Sequence, residues 1–300
     1  MDTGVGSFVF SAGFISSSST KSFRQSWPIL LLGLARTILT KLADYPEHIS
    51  EYGKHWNFFF TLAFVPLVQG PVSRLVDETE IETMVWALGA GLIWETSLSL
   101  LGLEHWALYG DRSRFGWISQ NKEGLVSFPG YCIIYLLALD LARHLPKGKD
   151  DDREAKKKDL VRDCAQRFVL YAAAFMAMQI IGYPLSRRSV SSDFADAVIV
   201  ADHQANLSYV LFIAALNSGT LLTCLLIELA AGPKQQSWTL TTFNRGGLVT
   251  FLLANVSTGL INLSTETIYW DRMPAFGLLL GYGLGLTSMT WYYLGMRKRR

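Results

Sequence analysis

Apolar runs of roughly 18 to 26 residues recur along the whole chain, each long enough to cross a hydrocarbon core of about 30 Å as a helix. A single large water-soluble core is excluded by that pattern. Composition agrees with it: 50% of the residues are hydrophobic and 17% are charged, where soluble domains carry about a quarter charged residues. The fold class expected is all-α, a polytopic transmembrane helical bundle of eight or nine spans forming one integral membrane domain over residues 1–300. The spans fall at about 3–16, 27–43, 56–76, 83–101, 125–145, 168–185, 206–231, 246–267 and 274–296, the first being short and Gly-rich.

Charged loops set the orientation. Lys and Arg concentrate in "MRKRR" at the C-terminus and in the stretch 146–167, which marks both as cytosolic and makes 146–167 a solvated, partly helical charged loop. Alternate crossings then put Asp44–His55, Leu103–Gly124 and Arg187–His203 on the opposite side, with Arg187 and Arg188 against the rule. The opening residues lack a basic n-region and a small-residue cleavage site, so targeting falls to the spans themselves. A formal charge of +2 gives no case for nucleic-acid binding. Cys132, Cys164 and Cys224 form no close pair and read as small buried hydrophobes, and three N-x-S/T sequons beginning at Asn206, Asn255 and Asn262 lie in or against spans, where glycosylation is not expected.

The stretch "DYPEHISEYGKHWNFFF", Asp44 to Phe60, crowds titratable groups at the mouth of an apolar run. On a helix His48, Glu51 and His55 are spaced i, i+3 and i+7 and share one face. Two His and a carboxylate suit acid/base work on an alcohol, in which a His oriented by Glu51 removes the hydroxyl proton during acyl transfer. The same set resembles zinc ligands without forming the His-Glu-x-x-His arrangement, and no metal is expected. The competing reading is a solvated helix end with Tyr52 and Trp56 in the interfacial aromatic belt.

Polar groups inside spans are costly and therefore informative. Arg36 sits within the second span, Asn57 opens the third, Glu95 lies in the fourth, and Asn255, Asn262 and Glu266 share one helical face of the eighth. Such a face is either a pocket for a hydroxylated substrate or a set of interhelical hydrogen bonds. Gly-x-Gly pairs here have no preceding strand, and no Ser-centred nucleophile elbow is present.

Five blocks in order, "DTGVGSFVFSAG", "DYPEHISEYGKHWNFFFTL", "NKEGLVSFPGY", "PLSRR" and "NRGGLVTFLLANVSTGLINLS", together resemble the inositol acyltransferases of glycosylphosphatidylinositol (GPI) assembly, called PIG-W in animals and GPI-anchored wall transfer protein in fungi. The resemblance implies a multi-pass endoplasmic reticulum enzyme with a cytosolic C-terminus, moving a fatty acyl chain, usually palmitoyl, from acyl-CoA to the inositol 2-hydroxyl of glucosaminyl-phosphatidylinositol. Acyl-CoA is then a co-substrate, no cofactor is needed, and the partners are the two lipid substrates and the bilayer. His55, Glu51 and His48 become catalytic candidates, and Asn121 and Lys122 join Arg36, Asn57, Asn255 and Asn262 as substrate-binding candidates. Members of this family are longer, with further spans ahead of "GVGSFVFS" that carry an acidic residue and a Lys around an Arg-Arg pair. No position here matches those candidates, so the chain is expected to be the C-terminal portion, Pro46 stands where the family has Gln, and the alternative is a non-catalytic membrane scaffold or lipid-binding remnant.

Overall fold

The structure, a computed structural model, describes residues 3–16, 22–42, 52–143, 153–186, 205–231 and 238–298. Every regular element among them is helical, as continuous apolar segments require when each must satisfy its own backbone. In chain order these are α1 (Thr3–Ile15), α2 (Ser22–Leu42), α3 (Phe58–Phe64), a 3-10 turn (Val65–Val68), α4 (Gln69–Thr79), α5 (Thr83–Leu100), α6 (Leu103–Tyr109) and α7 (Trp117–Gln120). There follow α8 (Lys122–Arg143), α9 (Arg153–Ser186), α10 (Leu207–Ala231), α11 (Trp238–Ser264), a second 3-10 turn (Thr267–Tyr269) and α12 (Arg272–Lys298).

Helices coincide with all nine expected spans, yet fewer meet the length and apolarity of a crossing. Three do so alone: Phe58–Thr79, α8 and α10. Two broken pairs raise the number to five if each is one span, α5 with α6, bent by 63°, and Trp238–Gly247 with Val249–Ser264. The others fall short for local reasons, α1 being 13 residues long and α2 carrying Arg36 and Lys41. Of the expected charged loop, residues 146–152 lie outside the described residues and the remainder is the first part of α9.

The chain gathers into two compact units, Met1–Leu226 and Ile227–Arg300. The first is organised around α8, whose apolar window is 78% buried, against 33% for α10 and 17% for Phe58–Thr79. Tyr131, Ile134, Tyr135, Leu137 and Leu139 of α8 are fully enclosed or nearly so. Helix α1 lies directly against it, because Gly13 has no side chain: a Cβ there would stand 2.3 Å from the Tyr135 carbonyl oxygen. Close approach through small residues is how helices associate where lipid competes for every apolar surface. Gly13→Ala is therefore expected to cost about 1–3 kcal/mol by overpacking, read as a lowered thermal midpoint in detergent; an unchanged midpoint would refute the contact.

At its C-terminal end α8 carries a polar junction. Asp140, 3% exposed, accepts the Met84 N–H at 3.2 Å near the start of α5 and pairs with Arg167 of α9. Arg143 donates to Thr83 Oγ1 and Ser73 Oγ. The three cysteine thiols are free; Cys164 is buried and Cys132 partly so, but Cys224 is exposed on α10, contrary to its expected place in the interior.

The second unit is a helical hairpin. One face of α11, Gly246, Thr250, Ala254 and Thr258, meets α12: Thr250 and Thr290 hydroxyls lie 3.2 Å apart, and Tyr282 Oη accepts from Thr258 and donates to the Ala254 carbonyl. Small side chains, rather than the Asn face, make this close approach.

Candidate functional site

The N-terminal end of α8 is where the structure draws two distant sequence blocks together. Asn121, with no exposed surface, accepts the backbone N–H groups of His55 at 2.7 Å and Trp56 at 2.8 Å on its side-chain oxygen. Its Nδ2 donates back to the Trp117 carbonyl at 2.8 Å. The Lys54 N–H adds a bond to the Gln120 carbonyl at 2.8 Å. The segments Asp44–His55 and Leu103–Gly124 were placed on one side by charge, and these bonds join their described parts at one end of the helices.

Gly53 shapes the approach. Its φ of +99° is a conformation few residues adopt without strain, and a Cβ would stand 2.5 Å from Asn121 Cα. The chain is non-helical from Gly53 to Asn57, so the helical face expected for His48, Glu51 and His55 does not run through to His55. His48 and Glu51 themselves, like Arg187 and Arg188, lie outside the described residues. Asn57 ends the excursion as an N-cap, its oxygen accepting the Phe59 and Phe60 N–H groups at 3.0 and 3.4 Å. Its amide donates to the Gly33 carbonyl and to Thr37 Oγ1, each at 3.0 Å.

The His55 ring is held at both nitrogens. Lys41 Nζ lies 3.1 Å from Nδ1 and Gln120 Oε1 lies 3.1 Å from Nε2. An ammonium only donates, so Nδ1 accepts and Nε2 carries the proton toward Gln120. Nδ1 thus faces the exposed Lys41. Around it the Trp56 ring packs on Phe60, Phe64, Trp117 and Phe128.

Lys122 and Glu123 are also buried, at 2% and 6% exposure. Lys122 Nζ donates to the Trp106 and Gly110 carbonyls at 3.1 and 2.7 Å, occupying the C-terminal end of α6 where a cation is favoured. Glu123 pairs with Arg112. Next to Arg112, hydrogen bonds from the Ser113 N–H and hydroxyl hold the Asp111 carboxyl below the usual carboxylate range.

The remaining candidates are elsewhere. Arg36 is exposed on α2. Glu95 accepts the Leu207 N–H at 2.9 Å and so anchors the start of α10. Asn255 and Asn262 are exposed in the second unit, Asn255 turning its amide to the Phe251 carbonyl. Glu266 lies beyond the end of α11, so it does not share their helical face. Among the described residues no three His, Cys, Asp or Glu gather as metal ligands. Sequence reasoning missed Lys41, Gln120 and Arg112; adjacent Gln and Asn at 120–121 were the available signal for one of them.

A family model described as GWT1 matches residues 1–293. The chain is 33% identical to GPI-anchored wall transfer protein 1 of Emericella nidulans over 343 residues, covering 99% of this chain and 64% of that protein. Against the protein of the same name from Cryptococcus neoformans it is 32% identical, covering 98% of this chain and 55% of the relative. Against that of Candida albicans the figures are 31%, 99% and 67%. The chain thus spans about half to two-thirds of the length of these relatives.

Proposed function

We propose that this chain, which belongs to the GWT1 family, acts in GPI-anchor biosynthesis, transferring a fatty acyl group from acyl-CoA to the inositol 2-hydroxyl of glucosaminyl-phosphatidylinositol. The relatives are named for GPI-anchored wall transfer. The observation that carries the reading to particular residues is the joining of the His55 and Asn121 blocks at the N-terminal end of α8. In this reading the bundle sits in the endoplasmic reticulum membrane as eight or nine spans, with the C-terminus cytosolic and the His55 end lumenal.

The transfer forms the ester C–O bond as the thioester C–S bond breaks and coenzyme A leaves as its thiol, so it needs a group to take the hydroxyl proton and pass it to the departing sulfur. His55 offers Nδ1 for this, with Gln120 holding the tautomer; Lys41, being exposed, yields its place to the incoming hydroxyl. His55→Ala is expected to lower inositol acylation about 100-fold or more while the protein remains membrane-inserted. Unaltered acylation in that variant would leave His55 with a packing role only.

A second reading has its own support. Asn57, Asn121 and Lys122 spend their polar atoms on groups of this chain, nearly all of them backbone, as a lipid-binding scaffold without chemistry would also do. Expression of the chain in cells lacking their own inositol acyltransferase separates the two. Acylated inositol lipid detected by mass spectrometry is the result expected; no acylated product from a membrane-inserted chain would favour the scaffold.

A further inference from the structure

Helix α2 spends one face on its neighbour and leaves a flank bare. It meets α3 through Gly33 and Thr37: a Cβ on Gly33 would stand 2.9 Å from the Phe60 ring, and the Asn57 amide bonds the Gly33 carbonyl and Thr37 Oγ1. Leu32, Ala35, Arg36 and Leu39, spaced i, i+3, i+4 and i+7, form a second stripe along the same helix. Ala35, Arg36 and Leu39 are exposed, Leu39 to 64%.

The one cation in this stripe is unspent. Among the described residues the Arg36 guanidinium has no hydrogen bond, ion pair or ring contact, whereas Lys41, the next cation along, is turned to His55. Arg36 lies six residues, or about 9 Å, from the Leu42 end of a helix about 30 Å long. Its Cα–Cβ bond tilts toward the N-terminus, away from that nearer end, so the side chain starts in the wrong direction to reach water past Leu42. A guanidinium at such a depth in hydrocarbon faces water or an anion. The leucines and alanine beside it supply neither.

The setting narrows what the anion is. Lipid phosphates lie outside the hydrocarbon core, beyond the depth of Arg36. A second copy of this chain paired two-fold on this flank would bring two cationic stripes together, because such a contact presents the same patch from both sides. The carboxylates within α5 and α8, Glu95 and Asp140, are already bonded to the Leu207 N–H and to Arg167. A different helix bearing a carboxylate answers both the charge and the stripe. Small Ala35 admits a close neighbour, and a guanidinium grips a carboxylate with two parallel bonds.

We propose that this flank of α2 docks one further membrane-spanning helix, a partner whose contacting surface is apolar except for a single Asp or Glu at the depth of Arg36.

The test places the full chain in phosphatidylcholine nanodiscs with a synthetic membrane-spanning poly-leucine peptide that carries one Glu at the matching depth and a photoreactive leucine beside it. Crosslinks are mapped by mass spectrometry. Label is expected within Ser22–Leu42, and peptides with Gln or Lys in place of Glu are expected to label it roughly 5- to 30-fold less, the strength of a polar pair between membrane helices. Arg36→Leu is expected to keep the parent's thermal midpoint and to lose the preference for the Glu peptide. Arg36→Glu is expected to reverse it in favour of the Lys peptide, and Arg36→Gln, expected to lose the preference as Arg36→Leu does, takes its place if that protein fails to insert. Equal labelling by the Glu, Gln and Lys peptides, or a Glu preference that survives Arg36→Leu, would overturn the proposal. So would displacement of the Glu peptide by phosphatidylglycerol, which would make a lipid phosphate the partner, or self-association of the chain that is lost in Arg36→Leu, which would make it a second copy.

Discussion

Asn121→Ala is expected to destabilise the protein by about 2–4 kcal/mol and to release the segment ahead of α3. The side chain has no exposed surface, and its one oxygen serves two backbone N–H groups. Each group left unpaired costs about 1–3 kcal/mol when buried, and both are partly shielded here. The Trp117 carbonyl loses its partner as well. Two measurements follow: the thermal midpoint in detergent falls, and trypsin cleaves faster after Lys54, whose N–H bond to Gln120 depends on the same junction. A variant with the parent's midpoint and cleavage rate would show that Asn121 does not hold the two blocks together.

Asp140→Ala is expected to be worse, by about 3–5 kcal/mol, because it strips a buried guanidinium of its carboxylate. The side chains of Arg167 and Asp140 are 10% and 4% exposed. The Met84 N–H loses its acceptor in the same step. Removing both charges, as Asp140→Leu with Arg167→Leu, is expected to recover much of that loss, since the desolvation of two ions disappears with the pair. Unfolding in detergent followed by tryptophan fluorescence reads both proteins. A double variant no more stable than Asp140→Ala would mean that the pair itself is not what the junction relies on.

These two residues show what the primary structure discloses and what it withholds. Helix positions were legible because an apolar run of sufficient length has few other outcomes, and all nine runs are helical. Which of them cross was less legible, since the run at 83–101 is α5 and the helix resumes past a 63° bend as α6, inside the segment expected as a loop. Asn57 was legible as the opening of a helix, and its capping bonds fulfil that reading. Asn121 was legible only as part of a block, because the groups that give it meaning lie 65 and 66 residues away and are backbone N–H groups, which carry no side-chain signature. Gly53 contained the warning that a helix does not continue to His55, and its positive φ is the reason the histidine faces Lys41 and Gln120 instead of a helical neighbour. Asp140 stands in plain view within "LLALDLAR", where a carboxylate in hydrocarbon demands a partner, but no local periodicity points to Arg167.

The order in which the ribosome delivers these helices gives the Asp140 junction a second meaning. Arg167 follows Asp140 by 27 residues, which at about 5–20 residues per second is a delay of roughly 1–5 s. Helix α8 is thus made before the guanidinium that pairs with its carboxyl group. Helices α1, α5 and α6, which all pack on α8, are synthesised before it and have no settled place until it arrives. Biogenesis of these helices accordingly waits on α8, and damage to α8 will surface as failed assembly and degradation.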